Sequence, residues 1–281
     1  MPRFLPAHQP AHALGMKPQK ARHGPWLQIK AAYRMEWNRY DLPIAGLDPR
    51  LEGFRILHLT DLHLKPAWYR AYDNLLQEIR EKQPDVILFT GDLIDDKRDH
   101  RPALPVLHKF IEHLESRLGT FAILGNHDGD LLMPELAEMN CRLMDGQTIV
   151  LEEGRGGVEL IGLQGPYRID FDESNHRHIP AKSPHRARVV MSHYPDLIKC
   201  TAHLQPDVFL AGHTHGGQIC LPGGRPLLTH DSLPKNMAKG LHRVGNTWLN
   251  VPRGMGFSGL PFRFFCPAEV VELRLTQETT E

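Results

Sequence analysis

Short apolar runs alternate with amphipathic stretches through the first half of the chain. FRILHLT (54–60) is a short apolar run followed by a turn. DVILFT (85–90) and TFAILG (120–125) are continuous apolar runs suited to strands buried on both faces. Between them, residues 68–82 carry Trp68, Tyr72, Leu75, Leu76 and Ile79 at helical spacing. Residues 102–118 place Leu104, Leu107, Phe110, Ile111, Leu114 and Leu118 on one helical face. Strand, helix, strand, helix, strand predicts parallel pairing through right-handed crossovers.

The second half is richer in strands and in Gly/Pro turns. Strands are predicted at 158–163, 188–193, 207–212, 246–251 and 269–275, with a short helix over 195–204. Upstream, residues 26–44 read as one or two extended segments. Residues 1–25, rich in Pro, His and basic residues, read as a disordered tail. With no repeat and no linker, residues 26–281 are expected to form one α/β domain built on two sheets.

Composition narrows the function. The 281 residues are 41% apolar and 23% charged, which is ordinary for a globular chain. The 33 basic and 33 acidic residues cancel and no basic stripe stands out, so no nucleic-acid partner is expected. Cys141, Cys200, Cys220 and Cys266 form no C-x-x-C pair, which argues against a thiolate zinc site or a disulfide framework. No apolar run is long enough to span a membrane, and the N-terminus lacks a signal-peptide core. Cytoplasmic residence is therefore expected, at most peripheral to the inner membrane. Eighteen histidines raise the prospect of a metal site. Oligomeric state is not legible.

The candidate chemistry sits at the strand ends. Successive apolar runs lead into Asp61-Leu62-His63, Gly91-Asp92, Asn126-His127-Asp128, Ser192-His193 and Gly212-His213-Thr214-His215. Each has a bland reading alone: a helix cap for Asp61 or Asp92, a turn for Asn126 and Thr214, a hydrogen-bonded histidine for His193. Five strand ends all delivering metal-competent groups favour a shared centre, because ligands in such sheets bind beyond the carboxyl ends of the strands. In an extended segment, residues two apart share a side. Asp61 and His63 can then meet on one ion, and His213 and His215 on one ion or on two adjacent ones. Oxygen and nitrogen donors without thiolate suit Mn, Fe, Co or Zn rather than Ca.

In their order and spacing, D-x-H, G-D, G-N-H-D, H and G-H-T-H resemble the calcineurin-like metallophosphoesterases. GHTHGGQI (212–219) and RGMGFSGLPFRFFCP (253–267) are similar to a bacterial branch that includes UDP-2,3-diacylglucosamine hydrolases and related phosphodiesterases. The resemblance implies a four-layer α/β/β/α sandwich of two mixed sheets around two divalent metal ions, Mn first, Fe or Zn as alternatives. It implies that Asp61, His63 and His215 hold one metal, Asn126, His193 and His213 the other, and that Asp92 bridges both. His127 would face the substrate as catalytic acid, oriented by Asp128. A hydroxide between the metals would attack phosphorus in line. The block GDLIDDKRD lacks the G-D-x-V-D-R-G arginine of phosphoprotein phosphatases, which disfavours that activity.

The expected substrate is a phosphoester or nucleotide-diphosphate compound, UDP-2,3-diacylglucosamine in the sharpest version. The alternatives are a general small-molecule or cyclic-nucleotide phosphodiesterase with no lipid role and, remotely, a non-catalytic scaffold. The apolar segment 256–265 reads either as core or as a greasy rim for acyl chains or a membrane surface. Arg253, Phe257 and Arg263 are the candidate substrate contacts there.

Overall fold

The computed structural model describes residues 5–22, 24–29, 34–129, 132–151, 156–163, 179–229 and 231–278. In chain order the strands are β1 (His8–Pro10), β2 (Gln19–Arg22), β3 (Leu27–Ile29), β4 (Glu36–Ile44), β5 (Arg55–Leu59), β6 (Val86–Thr90), β7 (Thr120–Ile123) and β8 (Arg142–Leu143). There follow β9 (Thr148–Leu151), β10 (Val158–Gly162), β11 (Ala187–Met191), β12 (Val208–Leu210), β13 (Gly240–Val244), β14 (Thr247–Val251), β15 (Phe262–Phe264) and β16 (Glu269–Gln277). The α-helices are α1 (Arg70–Lys82), α2 (Leu104–Glu112) and the short α3 (Met133–Ala137).

Two seven-stranded mixed sheets form the body, ordered β2-β4-β16-β5-β6-β7-β8 and β1-β13-β14-β12-β11-β10-β9. The predicted parallel set is present, with β5, β6 and β7 paired in parallel. In the second sheet β10, β11, β12 and β14 also run parallel. Alternation along each strand sorts side chains to two faces. Ile56, Leu88, Ile123, Leu160, Val189 and Leu210 fill the space between the sheets. Leu57, Phe89 and Ala122 face outward and are covered by Leu75 and Ile79 of α1 and Phe110 and Ile111 of α2.

The outer face of the second sheet is covered differently. Val190, Phe209 and Leu249 pack under Leu197, Ile198, Leu204 and Met237, which belong to 3-10 turns rather than to the predicted helix over 195–204. Pro195 opens this stretch at a first-turn position, and left-handed Gln205 followed by Pro206 closes it before β12. The helix expected over 102–118 is also shorter, with α2 ending at Glu112.

The described residues 5–22 of the N-terminal segment join the sheets rather than form a disordered tail. β1 pairs antiparallel with β13 and β2 with β4, so residues 8–22 add an edge strand to each sheet, and Ala11 is buried between them. Backbone pairing to two open sheet edges overrides a composition that reads as unstructured.

Candidate metal centre

The strand ends named from sequence meet at one place, where β5, β6 and β7 of one sheet and β11 and β12 of the other terminate. Parallel pairing continues past the strands: His63 N donates to Asp92 O and Leu64 N to Leu93 O, at 3.0 and 2.9 Å. His213 N donates to both oxygens of Asp61, at 3.0 and 3.1 Å, which ties the two sheets together.

Donor atoms of Asp61, His63, Asp92 and His215 lie within 4.8 Å of one another, and all four residues are buried. His63 Nε2 is 3.0 Å from His215 Nε2. A second group adjoins it: His193 Nε2 and His213 Nδ1 lie 3.1 and 3.0 Å from Asn126 Oδ1 and 3.3 Å from each other. Asp92 Oδ2 stands between the groups, 3.5 Å from His63 Nε2 and 3.4 Å from His193 Nε2.

The local backbone departs from expectation. Asp61, His63, Asp92, His213 and His215 have φ of 49°, 43°, 54°, 71° and 52°. The ligand pairs therefore do not share a side by extended alternation. Each chain turns through the left-handed region, which aims its side chain back over the strand end, at a cost that the surrounding packing must hold. Gly212 makes the crossing possible, since a Cβ there would lie 2.0 Å from Thr60 Oγ1 and 2.6 Å from Asp61 Oδ2.

The electrostatics are those of a cation site. Burial favours neutral histidine, but the hydrogen-bonded carboxylates of Asp92 and Asp95 overcome it and push His63 up to about 10. Burial likewise opposes protonation of His193, and Asp92 outweighs it, raising that ring to about 9. Burial also raises Asp92, yet its two imidazole neighbours hold it well below the usual carboxylate range. Burial, His63 and the nearby Arg263 keep His215 neutral. In the metal-free protein, protons on His63 and His193 supply the positive charge that the buried carboxylates demand. Divalent ions fit the same place, because Nδ1 of His63 faces Asp95 Oδ1 at 3.2 Å and Nδ1 of His193 donates to Thr90 O at 2.8 Å, which turns each Nε2 inward. Asp61, His63, Asp92 and His215 are therefore placed to hold an ion, and Asn126, His193 and His213 stand beside them across Asp92 as a second donor group.

Asp128 does not orient His127. Its carboxylate accepts from Leu93 N at 2.7 Å and Gly125 N at 2.8 Å, tying the loop after β7 to the loop after β6. His127 is instead oriented by the Asp95 carbonyl, to which its Nδ1 donates at 2.7 Å, leaving Nε2 for other partners. Burial lifts Asp128 to about 7.

Arg253, Phe257 and Arg263 do not line the cleft. Arg253 is spent on Glu36 and Glu269, at 2.6 and 2.9 Å. Arg263 is fully buried and donates to Gly256 O at 2.6 Å. Phe257 packs in the core beneath the helices. The segment 256–265 thus divides, with Phe257 and Arg263 inside and Ser258, Gly259 and Leu260 at the cleft.

The cleft has a volume of about 420 Å³. Asp92, Asn126, His127, His213 and His215 form one end, and Ile219, Leu227, Leu228 and Leu260 the other. Sequence reasoning missed Asp95, the paired leucines 227–228, and Gln218. The last holds the rim loop in place, donating to Ser258 O and Leu260 O and accepting from Ser258 N. Among the described lining residues none is Lys or Arg.

Two stacked mixed sheets whose parallel strands converge on a buried histidine–carboxylate cluster define a class of metal-dependent α/β proteins acting beyond their strand ends. The chain belongs to the calcineurin-like phosphoesterase family, whose sequence model matches residues 54–217. It is 29% identical over 243 residues to the uncharacterized metallophosphoesterase YkuE of Bacillus subtilis, covering 80% of this chain and 79% of that one. It is 30% identical over 234 residues to YkoQ of the same organism, covering 79% and 83%. A transmembrane protein with metallophosphoesterase domain from Bos taurus is 28% identical over 259 residues, covering 84% of this chain and 56% of that protein. No helix among the described residues is long and apolar enough to cross a membrane.

Proposed function

We propose that the protein hydrolyses a phosphodiester or diphosphate bond in a lipid-linked substrate, with UDP-2,3-diacylglucosamine as the sharpest candidate. The observation that carries this reading is the cleft, in which a polar cluster and an apolar wall share one cavity. Leu228 and Leu260 are 70% and 49% exposed, an arrangement that acyl chains or a membrane surface would cover. With no lysine or arginine on the described lining, phosphate charge must be met by bound cations. Two divalent ions, manganese first and iron or zinc as alternatives, would there neutralise phosphate oxygens and lower the pKa of water.

The chain's own residues do the rest. Asp92 holds the two donor groups in register. His127, held through Nδ1 by the Asp95 carbonyl, presents Nε2 to the cleft and, when doubly protonated, can deliver that proton to the leaving oxygen. Ile219, Leu227, Leu228 and Leu260 exclude water from one side and bind the apolar part of the substrate.

The test is a mass-spectrometric product assay of manganese-loaded protein with UDP-2,3-diacylglucosamine beside bis-p-nitrophenyl phosphate. UMP plus the acylated sugar phosphate is the expected result. Cleavage of the generic ester alone would keep the phosphoesterase and remove the lipid assignment.

A further inference from the structure

A two-stranded sheet beside the cleft is built inside out. β3 and β15 pair antiparallel, with Leu27 opposite Phe264, Gln28 opposite Arg263 and Ile29 opposite Phe262. Opposite residues share a face. One face therefore carries Gln28 and Arg263, and the other Leu27, Ile29, Phe262 and Phe264. An antiparallel sheet with one face in water ordinarily turns its apolar face inward. Here Gln28 and Arg263 are the fully buried pair, whereas Ile29 is 56% exposed. Polar anchors fix this orientation. Gln28 donates to Arg34 O at 2.8 Å and accepts from Ala268 N at 2.9 Å, and Arg263 donates to Gly256 O. Trp26, 58% exposed, adds its ring to the outer face, 5.6 Å from that of Phe264.

The face runs into the cleft. Ile219 bridges in parallel to Phe264. Residues 219–227 then turn back as a hairpin, with Leu221 N donating to Arg225 O and Leu227 N to Ile219 O. Cys220 is buried on the inner side, so by alternation Ile219 and Leu221 lie on the outer one. Ile219 and Leu227 are also walls of the cleft. Of the exposed large hydrophobic residues among those described, all but Leu14 belong to this face or to the cleft rim it joins. Exposed apolar residues gathered in one place mark an interaction surface.

Charge indicates what covers it. Segments 24–29, 218–229 and 256–265 contain no Asp or Glu. Arg225 at the hairpin turn and Arg34 beyond β3 are exposed, and exposed Lys235 donates to Leu227 O at 2.9 Å. A second copy of the chain would set the same cations against these. An anionic bilayer accepts both features, with apolar side chains at the acyl boundary, tryptophan at the headgroup level and cations at the phosphates.

We propose that the outer face of β3 and β15, with the 219–228 hairpin, docks the protein on an anionic lipid bilayer and sets the cleft mouth at the headgroups. Docking of this kind rests on the lipid-linked reading, and it lets such a substrate pass from the leaflet into the cleft without crossing water.

The test is co-sedimentation of the full chain with vesicles of phosphatidylcholine, alone or with about one-third phosphatidylglycerol, at about 20 and about 500 mM salt. Binding to the anionic vesicles is expected, several-fold weaker on neutral ones and at high salt. The double variant Trp26→Ala, Ile29→Ser should weaken it roughly tenfold or more through lost apolar burial, and Arg225→Ala roughly fivefold, with circular dichroism confirming the fold. Leu14→Ser, off this face, should leave it unchanged. Should the face variants unfold, quenching of the parent's tryptophan emission by brominated acyl chains supports docking, and unquenched emission overturns it. No sedimentation with anionic vesicles, equal binding by the folded variants, or a dimer abolished by Ile29→Ser in place of vesicle binding would each overturn the proposal. Vesicle binding without cleavage of UDP-2,3-diacylglucosamine supports the docking face and removes that substrate alone; cleavage without vesicle binding keeps the substrate and overturns the face.

Discussion

Asp92→Asn removes one charge and almost no volume from the middle of the cluster. Asp92 Oδ2 lies 3.5 and 3.4 Å from imidazole nitrogens on either side, and Oδ1 accepts from His127 N at 2.8 Å. An asparagine keeps the last bond and places an amide N–H where both rings need an acceptor. At about 3.5 Å and an effective dielectric of about 20, each unit charge pair is worth about 5 kcal/mol. Part of that offsets desolvation, and breaking a buried pair costs about 3–5 kcal/mol in practice. The expected loss of metal affinity is therefore roughly a hundred- to a few-thousand-fold for the whole centre, not for one ion alone, because both groups border this side chain. Manganese content per chain after dialysis, measured by mass spectrometry, and hydrolysis of bis-p-nitrophenyl phosphate report the result. A folded variant with parental metal content and parental turnover would refute the shared-ligand geometry.

Other expectations follow from the same contacts. Asp95→Ala should weaken metal binding roughly 10- to 100-fold by releasing His63 Nδ1, seen in a metal titration. His127→Ala should lower kcat roughly 100-fold or more for esters with alkoxide leaving groups yet little for p-nitrophenyl esters, whose leaving group needs no proton; equal losses on both would remove its role as an acid. Gly212→Ala should cost about 1–3 kcal/mol in denaturant unfolding, since the new Cβ meets Thr60 and Asp61. The metal-free protein should lose stability as pH rises. His63 and His193 are raised to about 10 and about 9 from an unfolded value near 6.5, so their contribution is complete below about pH 6.5 and is lost through pH 9 and then 10. A thermal-unfolding series in chelator from pH 6 to 10 reads this, and a flat or rising Tm would contradict it.

The convergence of Asp61, His63, Asp92, Asn126, His193, His213 and His215 was legible because each follows an apolar run, and topology alone brings such ends together. How they converge was not legible. Alternation predicts an extended Asp61–His63 pair, whereas the backbone turns left-handed, a choice enforced by the neighbouring loop through His63 N and Asp92 O. Arg253 and Arg263 attracted a substrate role because charge near an apolar run suggests a rim. Their partners, Glu36, Glu269 and Gly256 O, lie far off in sequence or on the backbone, where no local pattern reveals them. The N-terminal strands escaped for a related reason, since an edge strand takes its order from the sheet it joins rather than from its own residues.

The five left-handed residues of the cluster carry a consequence for how this fold evolves and how it can be engineered. A non-glycine residue held there costs about 1–3 kcal/mol, so the site amounts to a reservoir of conformational strain comparable with much of a domain's net stability. Glycine at the same positions would relax it. The most stable sequence for this backbone and the sequence that binds metal are therefore different sequences. Selection for thermal tolerance alone should erode the ligands first, and a variant that gains stability at Asp61, His63, Asp92, His213 or His215 identifies itself as one that has given up the metal.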